Sequence, residues 1–127
     1  MLLSGSKVDT SGANIAQPME IMGVDGKPLT ENKAEAPVLM LTGRDGSAYR
    51  GKFHELLARA AVNQKDGIEL TPEENEARTI ELLEACTLDF RNIEGEESIA
   101  DVYRKYPAVR DQADKFIADR ANHLKKS

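Results

Sequence analysis

The chain has 127 residues, of which 40% are hydrophobic and 31% are charged, and these values fit one soluble globular domain rather than two. Its net charge of −5 is unevenly distributed. Residues 66–101 hold two basic and twelve acidic residues, whereas residues 102–127 hold seven basic and three acidic residues. The acidic middle argues against a nucleic-acid-binding protein, and no apolar run approaches the ~20 residues of a membrane span. We therefore expect neither nucleic acid nor a membrane as a partner.

The first part of the chain predicts a flexible arm followed by a β-hairpin. Residues 1–16 are small, polar and without periodicity, so we expect an N-terminal arm outside the fold. Residues 18–22 alternate apolar and polar, and residues 25–28 (Asp-Gly-Lys-Pro) have the composition of a turn. A second apolar segment follows at residues 38–42. Together these segments predict an antiparallel hairpin over residues 18–42 with a long loop.

Four segments with helical periodicity follow the hairpin, and we predict helices over residues 47–65, 72–88, 98–105 and 107–125. Thr71 before Pro72 is a typical helix start, because the Thr hydroxyl accepts a bond from the first turn and Pro needs no donor there. Ser98 and Pro107 mark the next two starts in the same way. The expected fold class is α+β and mainly α. It is a single domain over residues 17–127, with an N-terminal β-hairpin packed on about four helices.

The residues that usually carry catalysis or bind metals do not form a motif in this sequence. His54, Cys86 and His123 are far apart in the chain. The segment His54-Glu55 begins like a zinc-protease helix, but Ala58 occupies the position of the second histidine. Cys86 lies on the apolar face of a predicted helix, which favours a core residue over a nucleophile. We therefore predict a non-enzymatic binding protein that has no catalytic residue, cofactor or metal.

A series of short motifs fills the second half of the chain. They are ELLEACT at residues 81–87, DVY at 101–103, YP at 106–107, VRDQ at 109–112 and FIADRANHL at 116–124. In the first half, PME at 18–20 and DGKP at 25–28 precede the second strand. This order resembles the tail assembly chaperones of long-tailed bacteriophages, the siphophages, and of related prophages. The likeness covers roughly residues 17–124 and is strongest over 81–124.

The resemblance implies a protein that acts during virion assembly. A tail assembly chaperone binds the tape measure protein and keeps that long, hydrophobic helical chain soluble while tail tube subunits polymerise around it. The tail tube protein is a second candidate partner. The resemblance also implies a location in the host cytoplasm during assembly and absence from the mature virion.

The side chains expected to contact the partner lie in the last third of the chain: Tyr103, Tyr106, Phe116, Ile117, Arg120 and Leu124. For the apolar members the alternative is the core, because the apolar stripe of a helix normally faces inward. Arg120 is different, since a cation on an apolar line needs an acidic partner or a ligand.

Two other functions stay open at the level of sequence. One is a structural virion component, such as a head–tail joining protein or a minor tail protein, which would be found in purified particles. The other is a small phage-encoded inhibitor of a host protein, whose gene would lie in an early operon rather than between the tube and tape measure genes. We therefore treat the chaperone as the leading hypothesis of three.

Overall fold

The structure is a computed structural model, and it describes residues 11–93, 95 and 98–124 of the chain. The described part contains three strands: β1 (Gln17–Glu20), β2 (Val38–Leu41) and β3 (Thr87–Arg91). It also contains four α-helices: α1 (Ser47–Lys65), α2 (Pro72–Cys86), α3 (Ile99–Lys105) and α4 (Pro107–Ala118). Short 3-10 turns lie at Ser11–Asn14, Lys33–Glu35 and Arg120–His123.

The three strands form one antiparallel sheet in the order β1-β2-β3. β1 and β2 are the two arms of the predicted hairpin, and Met19 lies opposite Leu39 in their register. On the other edge of β2, Leu39 lies opposite Phe90 of β3, and the register shifts between Met40 and Leu41. The predicted fold class is therefore confirmed: α+β and mainly α, with an N-terminal hairpin and four helices.

The strand β3 is missing from the sequence prediction, which extends the second helix to residue 88. In the structure the helix ends at Cys86, and Thr87 already has extended backbone angles, with φ −99° and ψ 106°. Phe90 then packs against the core. A β-branched and an aromatic residue suit a strand, and the free edge of β2 supplies the hydrogen-bond partners. Helical periodicity along the sequence carries no information about that edge.

The last helix is shorter than the predicted span of residues 107–125, because α4 ends at Ala118. Asp119 leaves the helical conformation, with φ −81° and ψ 103°. Its carboxylate accepts a hydrogen bond from the Ala121 N–H at 3.0 Å and so caps a separate 3-10 turn. Short acidic side chains favour such caps over helix interiors. The predicted end at residue 125 lies outside the described residues.

The N-terminal residues 11–16 are part of the fold, so the prediction of a flexible arm over residues 1–16 is wrong for this portion. Ala13 is buried, and its carbonyl oxygen accepts a hydrogen bond from the Gly43 N–H at 2.8 Å. The Asn14 carboxamide oxygen accepts from the Ser47 N–H at 2.8 Å and from the Ser47 hydroxyl at 3.1 Å. A residue 33 positions away thus caps α1. The predicted arm over residues 1–10 lies outside the described residues.

The starts of α2 and α3 follow the capping signals in the sequence. The Thr71 hydroxyl accepts a hydrogen bond from the Glu74 N–H at 3.2 Å, and Pro72 occupies the first turn. Ser98 caps α3 in the same way, accepting from the Asp101 N–H at 3.3 Å. Each such cap contributes about 1 kcal/mol and depends only on neighbours in sequence. Local chemistry therefore fixes where these helices begin.

One hydrophobic core joins the sheet to helices α2, α3 and α4. Its centre consists of side chains at most 1% exposed: Leu39, Leu41, Leu83, Cys86, Val102, Tyr103, Ala113 and Ile117. Full burial of one leucine side chain contributes about 1.5–3 kcal/mol. In contrast, α1 contributes no buried residue and packs against α2 and the Ser11–Asn14 turn. The helix α1 therefore forms an outer layer that rests on α2.

Two glycines near the start of α1 test this packing. A Cβ at Gly46 would collide with the Ala13 carbonyl group, whereas a Cβ at Gly51 meets nothing within 4 Å. We expect Gly46→Ala to destabilise the protein by about 1–3 kcal/mol, because the N-terminal turn must move. We expect Gly51→Ala, inside the helix, to stabilise it by about 0.5–1 kcal/mol. Urea unfolding measures both effects, and a Gly46→Ala variant as stable as wild type would contradict the described packing.

Candidate partner-binding surface

Two of the six side chains predicted to contact a partner lie in the core. Tyr103 is 0% exposed and Ile117 is 1% exposed. The Tyr103 hydroxyl lies 2.7 Å from the Thr87 hydroxyl, which itself donates to the Leu83 carbonyl oxygen at 2.8 Å. Tyr103 is therefore the donor to Thr87, and burial raises the pKa of Tyr103 to about 12. Both side chains are buried in the core, so neither can contact a partner while the chain is folded.

Phe116 and His123 pack against each other, and His123 also packs against Gly43 in the loop before α1. Their rings meet edge to face with 5.4 Å between centroids, and His123 is buried. The His123 Nε2 donates to the Phe116 carbonyl oxygen at 3.2 Å, while Nδ1 has no hydrogen-bond partner among the described residues. A Cβ at Gly43 would come within 2.8 Å of the imidazole ring. Phe116, half-buried, is therefore mainly a packing residue.

Arg120 is paired with an acid of the same chain. Its guanidinium donates through Nε and Nη2 to the two carboxylate oxygens of Asp45, at 2.6 and 3.0 Å. This hydrogen-bonded arginine holds the pKa of the Asp45 carboxyl below its ordinary value. We predicted from the sequence that Arg120 pairs with an acidic residue or a ligand, and in the structure it pairs with Asp45. Such an exposed pair contributes little stability, but it connects the turn after α4 to the loop before α1.

Tyr106 and Leu124 are the two apolar candidates that keep a large free surface, with 48% and 51% exposed. Tyr106 is the residue between α3 and α4, where the backbone leaves one helix and enters the next. Leu124 follows the C-terminal 3-10 turn. The six predicted residues therefore do not form one surface, and Tyr106 is the member with a distinct apolar environment around it.

Tyr106 lines an apolar groove of about 200 Å³ beside the core. The groove combines residues from the hairpin, the loop after β3 and the last two helices: Ile21, Leu29, Pro37, Asn92, Ile93, Val102, Tyr106 and Val109. Leu29 is 57% exposed and, with Tyr106, forms the accessible rim. Sequence reasoning missed Leu29. The feature of the sequence that could have indicated it is a leucine in the otherwise polar segment 25–33 between β1 and β2.

Two side-chain amides hold the walls of this groove in place, and sequence reasoning missed both. The Gln112 Oε1 accepts from the Met22 N–H at 2.8 Å, and its Nε2 donates to the Met22 carbonyl oxygen at 2.9 Å. On the other side, the Asn92 Nδ2 donates to the Ala36 carbonyl oxygen at 2.9 Å. Asn92 has a φ of 59°, a conformation that asparagine tolerates better than most residues. The groove is therefore a preformed feature of the fold.

The chain's cysteine belongs to the core, as the sequence predicts. Cys86 is fully buried, and burial raises the pKa of its thiol. Across the residues that the structure describes, His, Cys, Asp and Glu side chains do not gather into a group of three or more that could hold a metal ion. Within the same residues, no helix is both long enough and apolar enough to cross a bilayer.

Comparison with known proteins gives no match to a protein-family model, a curated protein or a solved structure. The geometry of the chain itself therefore identifies the candidate surface. Of the predicted contact residues, Tyr103 and Ile117 are interior, Phe116 packs on a histidine, and Arg120 is engaged by an acid. Among the predicted residues, Tyr106 thus remains available, and with Leu29 it forms the rim of an apolar groove that is open next to the core.

The Asp45–Arg120 pair should make stability depend on pH. Because the pKa of Asp45 is lower in the folded chain than in the unfolded chain, the pair's contribution is present above the unfolded pKa and is lost as the pH falls through the folded value. We expect the stability difference between wild type and Asp45→Asn to shrink as the pH falls from about 5 to about 2. Urea unfolding of both proteins at several pH values across this range measures the difference in their free energies of unfolding.

The matched control for this pair is Asp114→Asn, since Asp114 is exposed on α4 and forms no ion pair with any described residue. It makes the same chemical change at an exposed carboxylate of α4 and so reports what the loss of one negative charge does on its own. A difference for Asp45→Asn that stayed constant down to pH ~2 would show that the pair does not act through the carboxylate charge.

The buried hydroxyl of Tyr103 gives a second test. Tyr103→Phe removes one hydrogen bond in the core, and we expect a loss of about 0.5–1.5 kcal/mol, because the Thr87 hydroxyl keeps its own acceptor. Tyr106→Phe is the control, with an expected change within about 0.5 kcal/mol for a half-exposed ring. Thermal or urea unfolding measures both. Equal effects of the two variants would argue against the described bond.

Proposed function

We propose that this chain is a tail assembly chaperone that binds the tape measure protein of a long-tailed bacteriophage and keeps it soluble while the tail tube polymerises. The motif order over residues 81–124 suggests the family. The structural observation that supports a binding role is the preformed apolar groove whose rim is Tyr106 and Leu29. The proposal includes action in the host cytoplasm, and it excludes the chain from the finished particle.

The size and lining of the groove suit an apolar side chain of a protein better than a small molecule. Sites for small molecules usually measure about 300–1,000 Å³, and this groove measures about 200 Å³. Aromatic residues such as Tyr106, set in a well-packed pocket, are frequent anchors of protein interfaces. An extended helical client that would otherwise aggregate presents rows of apolar side chains that such a groove can cover.

The rigidity of the groove also favours a binding role. The amides of Gln112 and Asn92 hold the hairpin and the loop after β3 in place before a partner arrives. A preformed site loses less conformational entropy on binding than a site that must order itself. Because the groove floor includes the buried Val102, a partner side chain would contact the core of the domain directly.

The test is co-expression of the chain with the tape measure protein of the same phage or prophage, with the soluble tape measure fraction as readout. Wild type should keep the tape measure protein soluble. Tyr106→Asp should weaken binding about tenfold or more, because a charge replaces an interface anchor. The variant should still fold, since Tyr106 precedes α4 at the N-cap, where Asp is favoured.

The matched control is Leu88→Asp on β3, because Leu88 is 63% exposed and does not line the groove. It should support tape measure solubility as well as wild type does. A tape measure protein that is equally soluble without the chain would refute the chaperone function. Stoichiometric copies in purified virions would instead identify a structural component, and binding to a host protein alone would identify an inhibitor.

A further inference from the structure

The helices α1 and α2 form a hairpin with two unlike edges. Along one edge the helices are connected by charged side chains: Arg59 donates to Glu81 at 2.9 Å and to Glu55 at 2.6 Å, and Lys52 lies 2.9 Å from Glu55. The Arg59–Glu81 pair joins α1 to α2, whereas the other two pairs lie within α1. The other edge has no such bridge among the described residues, and it is open.

The open edge is a second apolar groove, of about 300 Å³. Its apolar lining comes from four residues of α1 and one of α2: Phe53, Leu56, Leu57, Ala60 and Leu82. Phe53 and Leu57 are 42% and 54% exposed, although they face a neighbouring helix. Their spacing with Ala60 is i, i+4 and i+7, so the stripe runs along about 10 Å of helix axis. This shape accommodates a third helix lying along the pair.

A cation, the guanidinium of Arg78, lies in the same groove. Arg78 of α2 lines it and is partly buried, yet its guanidinium pairs with no carboxylate of the described residues. The two acids of α2 that lie on the same side of the helix as Arg78, at i−4 and i+3, are engaged elsewhere. Glu74 bonds the Thr71 hydroxyl at 3.2 Å in the cap, and Glu81 pairs with Arg59. A partly desolvated guanidinium beside apolar side chains favours a ligand that supplies a carboxylate.

We propose that the groove between α1 and α2 is a docking site for an amphipathic helix of a partner protein, with an apolar stripe against Phe53, Leu57 and Leu82 and a carboxylate that pairs with Arg78. The apolar stripe supplies the contact area, and the carboxylate sets the register and orientation of the bound helix. The site is distinct from the groove at Tyr106 and does not rest on the tail assembly function. The partner is specified only by its chemistry, as an amphipathic helix with a carboxylate beside its apolar stripe.

The probes are two synthetic helical peptides of about 18 residues, roughly 27 Å long, with the same leucine and alanine stripe. One carries glutamates along the flank of the stripe, and the other carries lysines at the same positions. Fluorescence anisotropy with the full chain measures the affinities. We expect the glutamate peptide to bind wild type about tenfold more tightly than the lysine peptide, because only the glutamates can pair with Arg78.

Two variants locate the binding in the groove. Leu57→Glu should abolish binding of the glutamate peptide by placing a charge on the apolar stripe. Arg78→Glu should reverse the preference, so that the lysine peptide binds more tightly. A reversed preference is a gain of binding and cannot result from misfolding. Val62→Glu is the control, because Val62 is 58% exposed on α1 and does not line the groove. It should bind like wild type.

Several outcomes would overturn the proposal. They are no binding of either peptide to wild type, an unchanged preference in Arg78→Glu, or equal loss of binding in Val62→Glu and Leu57→Glu. Analytical ultracentrifugation of the chain alone adds one more: a dimer that Leu57→Glu dissociates would show that a second copy occupies the groove. Because no tape measure protein is present in these measurements, their failure and failure of the proposed chaperone function are separate results.

Discussion

The rest of the structure depends on the burial of β2. Its Leu39 and Leu41 are fully buried, and β1 and β3 pair with its two edges. A two-stranded hairpin alone is marginally stable in water, and a third strand with a covered apolar face changes that. The helices α2, α3 and α4 provide the cover, and α4 also contacts β2 directly. Since α2 uses one face for this core, its opposite face is left to hold α1.

The parts of the fold that sequence could predict are those determined by neighbours along the chain. Helix starts at Thr71 and Ser98 depend on bonds three residues away, so their signals are visible in the sequence. The strand β3 forms because it pairs with the free edge of β2. The helix α4 ends at Ala118 because Asp119 caps a separate 3-10 turn. In each case a helix competes with another local structure, a strand or a 3-10 turn. The periodicity of apolar residues does not show which of the two is more stable.

The same division applies to the candidate surface. Tyr106 was identifiable as an aromatic residue at a helix junction, whereas Leu29, Gln112 and Asn92 became recognisable only once distant segments met. Gln112 bonds Met22 across 90 positions, and no local pattern announces such a pairing. The two apolar grooves lie in different layers, one beside the core and one on the α1–α2 pair. An extended client that reached both would gain avidity, because the second contact forms at high effective concentration.

The long-range bond between Gln112 and Met22 has a consequence for biosynthesis. The residues of the β1–β2 hairpin are translated before the glutamine that fixes them, which follows Met22 by 90 positions in the chain. Before then the three strands, α1 and α2 have all been translated, so contacts among these elements can form first on the nascent chain. The helical cover of the sheet is complete only after α3 and α4 have also been translated. We therefore expect truncation of α4 to destabilise the sheet and the loop at Met22 together, because α4 contacts both.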